Sequence, residues 1–378
     1  MNAVPAPAPV PAPVAGPAVA RPYRHGLVLG KFYPPHAGHH HLVRTAVAQC
    51  DRLTVLVCAA SVESVPLADR VAWLREAHPE AEVVGAVDDH PVDLHDAAVW
   101  EAHMGVFRTA VPEPVDAVFT SESYGTELAR RFGAAEVCVD PDRTTYPVSA
   151  TAVRKDPVGC WDFLGPGVRA ALTRRVVVLG AESTGTTTLS RALAAHYRAR
   201  GGVWADTGWV PEYGRTYSEE KLAALRTADP EADWTQVEFT SDEFTVIARH
   251  QDADEERAAR DGSPVLICDT DSFATAIWHE RYLNAPAPEV AAIADRTPRH
   301  LYLLTDHEGV PFEDDGLRDA PHLRPWMTAR FTEELERTGR RFLLLTGSPE
   351  ERLRAAVTAV DGLLAEGWHF NDPLPERR

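Results

Sequence analysis

The stretch RHGLVLGKFYPPHAGHHHL, residues 24–42, decides the fold of the first half of the chain. Its apolar run at 26–32 predicts a buried strand, and a turn then leads into a helical pattern near 39–50. Gly38 permits a close approach of the backbone to a ligand, and the start of a helix offers unpaired N–H groups to a phosphate. His36 and His39 can donate to oxygens where charge builds during attack on phosphorus. The segment therefore predicts a nucleotide site.

Outward from this segment, short apolar runs alternate with longer amphipathic ones. Strands are predicted at 26–32, 53–59, 81–87, 116–122 and 135–140, and again at 175–180, 203–208, 265–270, 301–306 and 342–347. This alternation is typical of a parallel sheet with helices on both faces. The run Gly165-Pro166-Gly167 suggests a linker or its flank. We expect a two-domain α/β protein, both domains with parallel sheets: a disordered Pro/Ala-rich tail at 1–22, a first domain at 23–168 and a second at 173–370.

Bulk properties exclude several classes of protein. The chain has 378 residues, more than one domain usually holds, and a formal net charge of -18, which argues against non-specific nucleic-acid binding. Its five cysteines contain no CxxC pair, as expected in a reduced compartment. No run approaches the roughly 18–20 apolar residues of a membrane span. We therefore expect a cytoplasmic protein without nucleic-acid or membrane partners; the sequence leaves the oligomeric state open, a homo-oligomer included.

Two further segments accompany the first motif. Residues 148–154 read VSATAVR, and residues 119–125 read FTSESYG. Together with GKFYPPHAGH, they resemble the HxGH nucleotidyltransferase superfamily, with its second signature ISxTxxR and a stretch that positions the pyridine nucleotide. Pro34, two residues before His36, is similar to the form found in nicotinamide mononucleotide (NMN) adenylyltransferases. The adjacent His40 and His41 are predicted to be non-ligands, because neighbouring helical positions point to different faces.

This resemblance covers roughly residues 25–160 and implies a Rossmann-like domain that transfers AMP from ATP to NMN, giving NAD and pyrophosphate. The reaction would be direct in-line attack of the NMN phosphate on the α-phosphorus, with Mg²⁺ neutralising charge. The resemblance implies catalytic roles for His36, His39, Arg154 and Lys31, ATP contacts from Gly30, Phe32, Gly38, Ser149 and Thr151, and a substrate contact from Tyr124. Pantetheine phosphate and nicotinic acid mononucleotide are alternative acceptors.

A second nucleotide motif opens the second half: RVVVLGAESTGTTTL, residues 175–189, has the strand–loop–helix form of a P-loop. Thr186 stands where the motif has lysine, and Thr187 where it has the metal-binding hydroxyl. By analogy with the loss of one stabilising donor, the missing lysine could cost about 10²–10³ in rate, or ~3–4 kcal/mol. Asp269 ends an apolar strand, as a Walker-B-type carboxylate does. The domain is therefore a kinase with a substituted loop, or a domain that binds nucleotide without transferring phosphate.

The second half resembles the ribosylnicotinamide kinase domain of bifunctional NadR-type proteins. GAESTGTTT, PEYGR (211–215), CDTD (268–271) and FEDDGLR (312–318) match that family, with departures at Thr186, Gly214 and Phe312. The resemblance implies phosphorylation of nicotinamide riboside by ATP, and Arg318 or Arg324 could replace the missing charge. It implies ATP contacts from Gly180, Ser183, Thr184, Gly185, Thr186, Thr187 and Thr188, metal ligands Thr187 and Asp269, and substrate contacts from Glu212, Tyr213, Arg215, Phe312, Asp315 and Arg318.

The order of the two halves, adenylyltransferase first and kinase second, also fits the NadR-type family. Some members carry an N-terminal helix-turn-helix that represses transcription, and we do not expect one here because a Pro/Ala tail precedes the first strand. The rival hypothesis is an active adenylyltransferase whose C-terminal half is a nucleotide-sensing, regulatory module.

Overall fold

The computed structural model describes residues 21–318 and 320–377, and residues 1–20 of the expected tail lie outside this range. The described residues contain two five-stranded parallel sheets, so the predicted α/β class with two parallel sheets is confirmed. No helix within these ranges is long and apolar enough to span a membrane.

The first sheet has the strand order β3-β2-β1-β5-β6. Its half of the chain contains strands β1 (Tyr23–Gly30), β2 (Cys50–Ala59), β3 (Glu82–Val87), β4 (Val92–Asp93), β5 (Ala117–Thr120) and β6 (Ala135–Cys138), and helices α1 (Ala37–Val47), α2 (Leu67–Ala77), α3 (Ala97–Ala110), α4 (Gly125–Phe132), α5 (Ala150–Lys155) and α6 (Pro166–Leu172). The order reverses at β1, which lies between β2 and β5. Ligands of such sheets bind outside the carboxyl ends of the strands at this switch point.

The second sheet has the order β11-β10-β7-β9-β8. Its half contains strands β7 (Arg174–Gly180), β8 (Gly208–Val210), β9 (Val265–Asp269), β10 (Leu301–Thr305) and β11 (Phe342–Leu345), and helices α7 (Thr186–Arg198), α8 (Tyr213–Ala228), α9 (Ser241–Asp261), α10 (Ser272–Leu283), α11 (Pro288–Ala294), α12 (Arg324–Arg337) and α13 (Pro349–Ala365). The central strand β7 is buried on both faces, and the predicted P-loop follows it directly.

Two local expectations are wrong. The strand expected at 203–208 is a 3-10 helix at Gly202–Trp204, and β8 begins only at Gly208, because Gly201 and Gly202 turn the chain with positive φ angles of 68° and 56°. The suggested linker around Gly165 is the start of α6. Proline fits the first turn of a helix, where its missing N–H has no intrahelical partner, so the Gly-Pro-Gly run begins a helix here.

The last residues return to the first half of the chain, where they form a separate two-stranded sheet. After α13 the chain runs back across the molecule, and strand β12 (Glu376–Arg377) pairs in parallel with β4. The indole of Trp368 donates to the Leu172 carbonyl at 2.5 Å, and the Arg174 guanidinium lies 5.0 Å from the Trp368 ring centroid. The C-terminal segment therefore connects the two halves of the protein.

Candidate active sites

A cavity of about 530 Å³ opens at the carboxyl end of β1, at the switch point of the first sheet. All ten residues that the sequence assigned to the first site line it: Gly30, Lys31, Phe32, His36, Gly38, His39, Tyr124, Ser149, Thr151 and Arg154. Residues from three separate stretches of sequence thus meet in one place, although their individual roles stay predictions.

His36 and His39 lie at the start of α1 with their rings stacked at a centroid distance of 3.7 Å. Burial lowers the pKa of His36 to about 3 and holds the pKa of His39 well below its ordinary value. Both rings are therefore neutral at neutral pH and keep one N–H each. The buried Nδ1 atoms of both have no hydrogen-bond partner among the described residues. A Cβ at Gly38 would lie only 3.2 Å from the His36 ring, so any larger residue there would press on the stacked pair.

The start of α5 faces the histidines across the cavity. Ser149 caps this helix by accepting the Ala152 N–H at 3.1 Å. It also lines the cavity, so it has a structural contact as well as a place in the site. Arg154 donates to the Tyr33 carbonyl at 2.8 Å and to the Thr151 hydroxyl at 3.3 Å. These contacts orient a guanidinium in a cavity that Lys31 also lines, which makes this side suited to phosphate.

The two remaining histidines of the triplet have other partners. His40 Nδ1 lies 2.9 Å from His78 Nε2, which places this side chain against the turn after α2. The His41 ring lies 5.6 Å from that of Tyr146 at the cavity wall. The different directions of the adjacent side chains agree with the helical geometry used to separate them from His36 and His39.

The opposite end of the cavity holds residues that sequence reasoning missed. Asp88, His90 and His103 line it, with His90 and His103 Nδ1 at 2.8 and 2.6 Å from the two Asp88 oxygens. Burial opposes ionisation of Asp88, but hydrogen bonds from both histidines leave its pKa below the ordinary value. Their ligand atoms lie within 4.8 Å of one another, close enough to hold a metal ion. One feature of the sequence could have identified His103: it lies three residues after Trp100, and this spacing puts both side chains on one face of α3.

The second site begins with a P-loop. Ser183 and Gly185 take positive φ angles of 58° and 86°, and α7 starts at Thr186. Thr184 is buried and donates to the Ala181 carbonyl at 2.7 Å, while Thr188 is exposed in the first turn of α7. A Cβ at Gly180 would lie 2.2 Å from Thr305 Oγ1, so the loop requires glycine there. The described backbone therefore has the curvature needed to surround a phosphate.

Thr186 and Thr187 both hydrogen-bond the Asp269 carboxylate at the end of β9. Burial raises the pKa of Asp269 to about 6, although the two threonine hydroxyls and the charges of Arg191 and Arg215 act in the opposite direction. The position of the P-loop lysine is thus filled by a neutral hydroxyl. The Thr187 hydroxyl and the Asp269 carboxylate together offer oxygen ligands, which a hard divalent cation prefers.

The predicted substrate side lies around the start of α8. Burial, followed by the neighbouring Asp269, raises the pKa of Glu212 to about 8. Arg215 and Arg318 both pair with Asp315, at 2.9 and 3.3 Å. Tyr213 stacks on His250 at 4.5 Å, and the Phe312 ring lies 6.0 Å from the Arg324 guanidinium. Of these residues, Arg215 and Asp315 line a second cavity of about 570 Å³ beside α8.

Arginines from several elements contact the P-loop: Arg281 pairs with Glu182 at 3.7 Å, and three others, two of them named from the sequence, bond Ser183 or Thr184. Arg318 donates to the Ser183 hydroxyl at 3.4 Å, and Arg324 donates to the Ser183 carbonyl at 3.3 Å. Arg352, at the start of α13, donates to the Thr184 carbonyl at 3.0 Å and was missed. The structure therefore brings positive charge to the loop that lacks its lysine.

Two family models match the chain in the expected order. A cytidylyltransferase-like model matches residues 27–156, and an AAA domain model matches residues 175–352. The trifunctional NAD biosynthesis/regulator protein NadR of Escherichia coli K12 is 26% identical over 310 residues, 78% of this chain and 71% of that protein. A nicotinamide-nucleotide adenylyltransferase of Pyrobaculum neutrophilum is 28% identical over 165 residues, 40% of this chain and 89% of that protein.

Solved structures of NadR proteins share the fold. One, in complex with NR, superposes with a TM-score of 0.69 at 20% identity and covers 90% of this chain and 95% of its own. Another, in complex with NAD and AMP-PNP, has a TM-score of 0.65 at 20% identity, and the match covers 92% of this chain and 97% of that chain. With the two family models in the same order, these likenesses confirm the predicted relationship. The chain is therefore a homologue of the NadR proteins, with a cytidylyltransferase-like domain followed by a P-loop domain of the AAA type.

Proposed function

We propose that the chain makes NAD in two steps: the second domain phosphorylates nicotinamide riboside, and the first transfers AMP from ATP to the resulting NMN. The observation that carries the first activity is the meeting of the His36–His39 pair with Arg154 in one cavity. We assign this activity to residues 23–168 and the kinase to residues 173–370. The relatives named for NAD biosynthesis and for nicotinamide-nucleotide adenylyltransferase support the assignment.

In the first site, an oxygen of the NMN phosphate attacks the α-phosphorus of ATP, a new P–O bond forms, and the bond to the bridging oxygen of pyrophosphate breaks. The neutral imidazoles of His36 and His39, which line the cavity, donate an N–H group to the oxygens that gain charge. Arg154 and Lys31 hold the phosphates in line. Side chains of the first site thus position and stabilise, and none of them forms a covalent intermediate.

In the second site, the P-loop amides at Gly185 and Thr186 hold the phosphates of ATP. Thr187 and Asp269 are suited to hold Mg²⁺, since a hydroxyl and a buried carboxylate lie together at the end of the P-loop. The ion would neutralise charge on the transferred phosphate. Arg318 and Arg324 supply the positive charge that Thr186 does not, because both contact Ser183 in the loop. Glu212, Arg215 and Asp315 then face the riboside.

The second candidate function, a nucleotide-sensing C-terminal half, is favoured by one observation. The Thr186 hydroxyl bonds Asp269 and leaves the lysine position without charge. The arginines at Ser183 weigh against this candidate, because they restore charge at the same loop.

One experiment tests both activities. The purified full chain is incubated with nicotinamide riboside and magnesium ATP, and NMN, ADP and NAD are separated over time; a parallel reaction starts from NMN. We expect NMN to appear first and NAD to follow. NAD from NMN alone, with no ADP from the riboside, would support the sensing candidate, and no NAD in either reaction would refute the proposed first activity. Replacing NMN by pantetheine phosphate or nicotinic acid mononucleotide tests the alternative acceptors.

A further inference from the structure

The C-terminal segment 371–377 lies in the wall of the first cavity, although it follows the last helix of the second domain. Pro373, Leu374 and Glu376 line the cavity together with Trp100 and Tyr124. Pro373 and Leu374 are half-buried there. The cavity at the first sheet is therefore not built by the first domain alone.

Hydrogen bonds hold this segment at several points. The Tyr33 hydroxyl, which follows β1, donates to the Asn371 carbonyl at 2.9 Å, and the Asn371 amide side chain donates to the Val62 carbonyl at 2.8 Å. Further along, the Val92 N–H donates to the Pro375 carbonyl at 3.2 Å. The Leu94 N–H donates to the Arg377 carbonyl at 3.0 Å. The segment is thus paired at both of its ends, and its middle, with Leu374, is held over the cavity.

The position of Leu374 indicates which substrate it contacts. The segment begins at Tyr33, whose carbonyl accepts from Arg154 of the predicted phosphate side, and it ends on β4. Leu374 directly precedes Pro375, whose carbonyl accepts the Val92 N–H, and Leu94 packs against Trp100 beside the same strand. A flat, weakly hydrated heteroaromatic ring fits such a wall better than a triphosphate does.

We propose that residues 371–377 are a structural part of the acceptor subsite of the first domain, with Leu374 a specificity-determining residue that packs on the base of the acceptor mononucleotide. The inference rests on the proposed adenylyltransferase function and adds which residues of the second half of the chain complete that site. The second half of the chain therefore contributes to acceptor binding in the first.

The test compares four variants with the wild type. One chain ends at Phe370, a second variant is Leu374→Ala, a third is the volume-conserving Leu374→Met, and the control is Arg257→Ala, in α9 and outside the lining of both cavities. The control side chain is exposed and makes an ion pair with Asp254 at 2.8 Å. NAD formation from NMN is measured at varied NMN and at varied ATP. Kinase activity and the melting temperature are measured on the same preparations.

We expect the KM for NMN to rise roughly tenfold or more in the shortened chain and in Leu374→Ala, because loss of one apolar contact in a pocket has this effect. The KM for ATP should change less than twofold, Leu374→Met should recover most of the affinity, and Arg257→Ala should equal the wild type. An unchanged KM for NMN in both the shortened chain and Leu374→Ala overturns the inference. So does a parallel rise in both KM values, which would mean that the segment only supports the fold.

Failure of the proposed function gives a different result. A wild type that makes no NAD from NMN refutes the adenylyltransferase itself. The acceptor subsite is then assessed by the thermal stabilisation that NMN gives to the full chain and to the chain ending at Phe370. Equal stabilisation of the two proteins overturns the inference, and stabilisation of the full chain alone supports it.

Discussion

Replacement of His39 by alanine gives the sharpest test of the first site. The His39 ring stacks on His36 at 3.7 Å and lies 4.9 Å from the Phe32 ring, with its buried Nδ1 free of partners among the described residues. Loss of one preorganised donor to a developing oxyanion costs about 10²–10³ in rate, or ~3–4 kcal/mol. We therefore expect kcat for NAD formation from NMN to fall by roughly that factor, while kinase activity is retained.

The chemical role is separated from a structural one by two further variants. Because burial keeps the wild-type imidazole neutral, His39→Asn retains a neutral N–H donor and should keep more activity than His39→Ala. His95→Ala, at an exposed histidine outside the cavity lining, is the control. The assay follows NAD by chromatography at saturating NMN and ATP, with the melting temperature as a check of folding. A folded His39→Ala protein within threefold of the wild type would refute the reasoning.

Three more predictions concern charge. Thr186→Lys should raise the affinity for ATP or the kinase rate with nicotinamide riboside, because a lysine there reaches the phosphates beside Asp269. No change in either quantity would mean that position 186 does not face the phosphates. The pKa of His36 is about 3 in the folded protein and ordinarily 6.5, so the unfolded chain binds more protons between these values and stability is lost as pH falls below 6.5. The decrease in melting temperature from pH 7.5 to pH 5 should accordingly be smaller in His36→Asn, and an equal decrease would contradict this. Since Asp88 and Glu376 line the cavity, NMN should be preferred to nicotinic acid mononucleotide, which bears a carboxylate. Asp88→Asn should reduce the ratio of kcat/KM for NMN to kcat/KM for nicotinic acid mononucleotide. An unchanged ratio would exclude Asp88 as the cause of the preference.

The positions of the two nucleotide sites were predictable because each depends on a continuous stretch. A buried strand, a turn and a helix start follow one another in residues 26–47 and again in residues 174–198, so the residues of each turn are brought to the carboxyl end of a strand by local geometry alone. Ser149 was predictable for the same reason, since it begins a helix. The HxGH signature and the P-loop are therefore features of the sequence itself.

The glycines and prolines of two short segments predicted the local structure less well. Gly165-Pro166-Gly167 has the composition of a linker, yet Pro166 begins α6, because proline fits the first turn of a helix as well as it fits a loop. The strand expected at 203–208 was displaced by two glycines with positive φ. In both places, the local residues permit more than one conformation, so composition alone did not decide between them.

Only the tertiary structure decided what completes each site. The Tyr33 hydroxyl meets the Asn371 carbonyl across 338 positions of sequence, and Arg352 meets Thr184 across 168. No periodicity or spacing encodes such a contact, because it depends on how two sheets and their helices pack as whole bodies. The sequence predicted where phosphate would bind, since a strand end and a helix start carry that property locally. Packing determined which distant side chains line the remainder of each cavity.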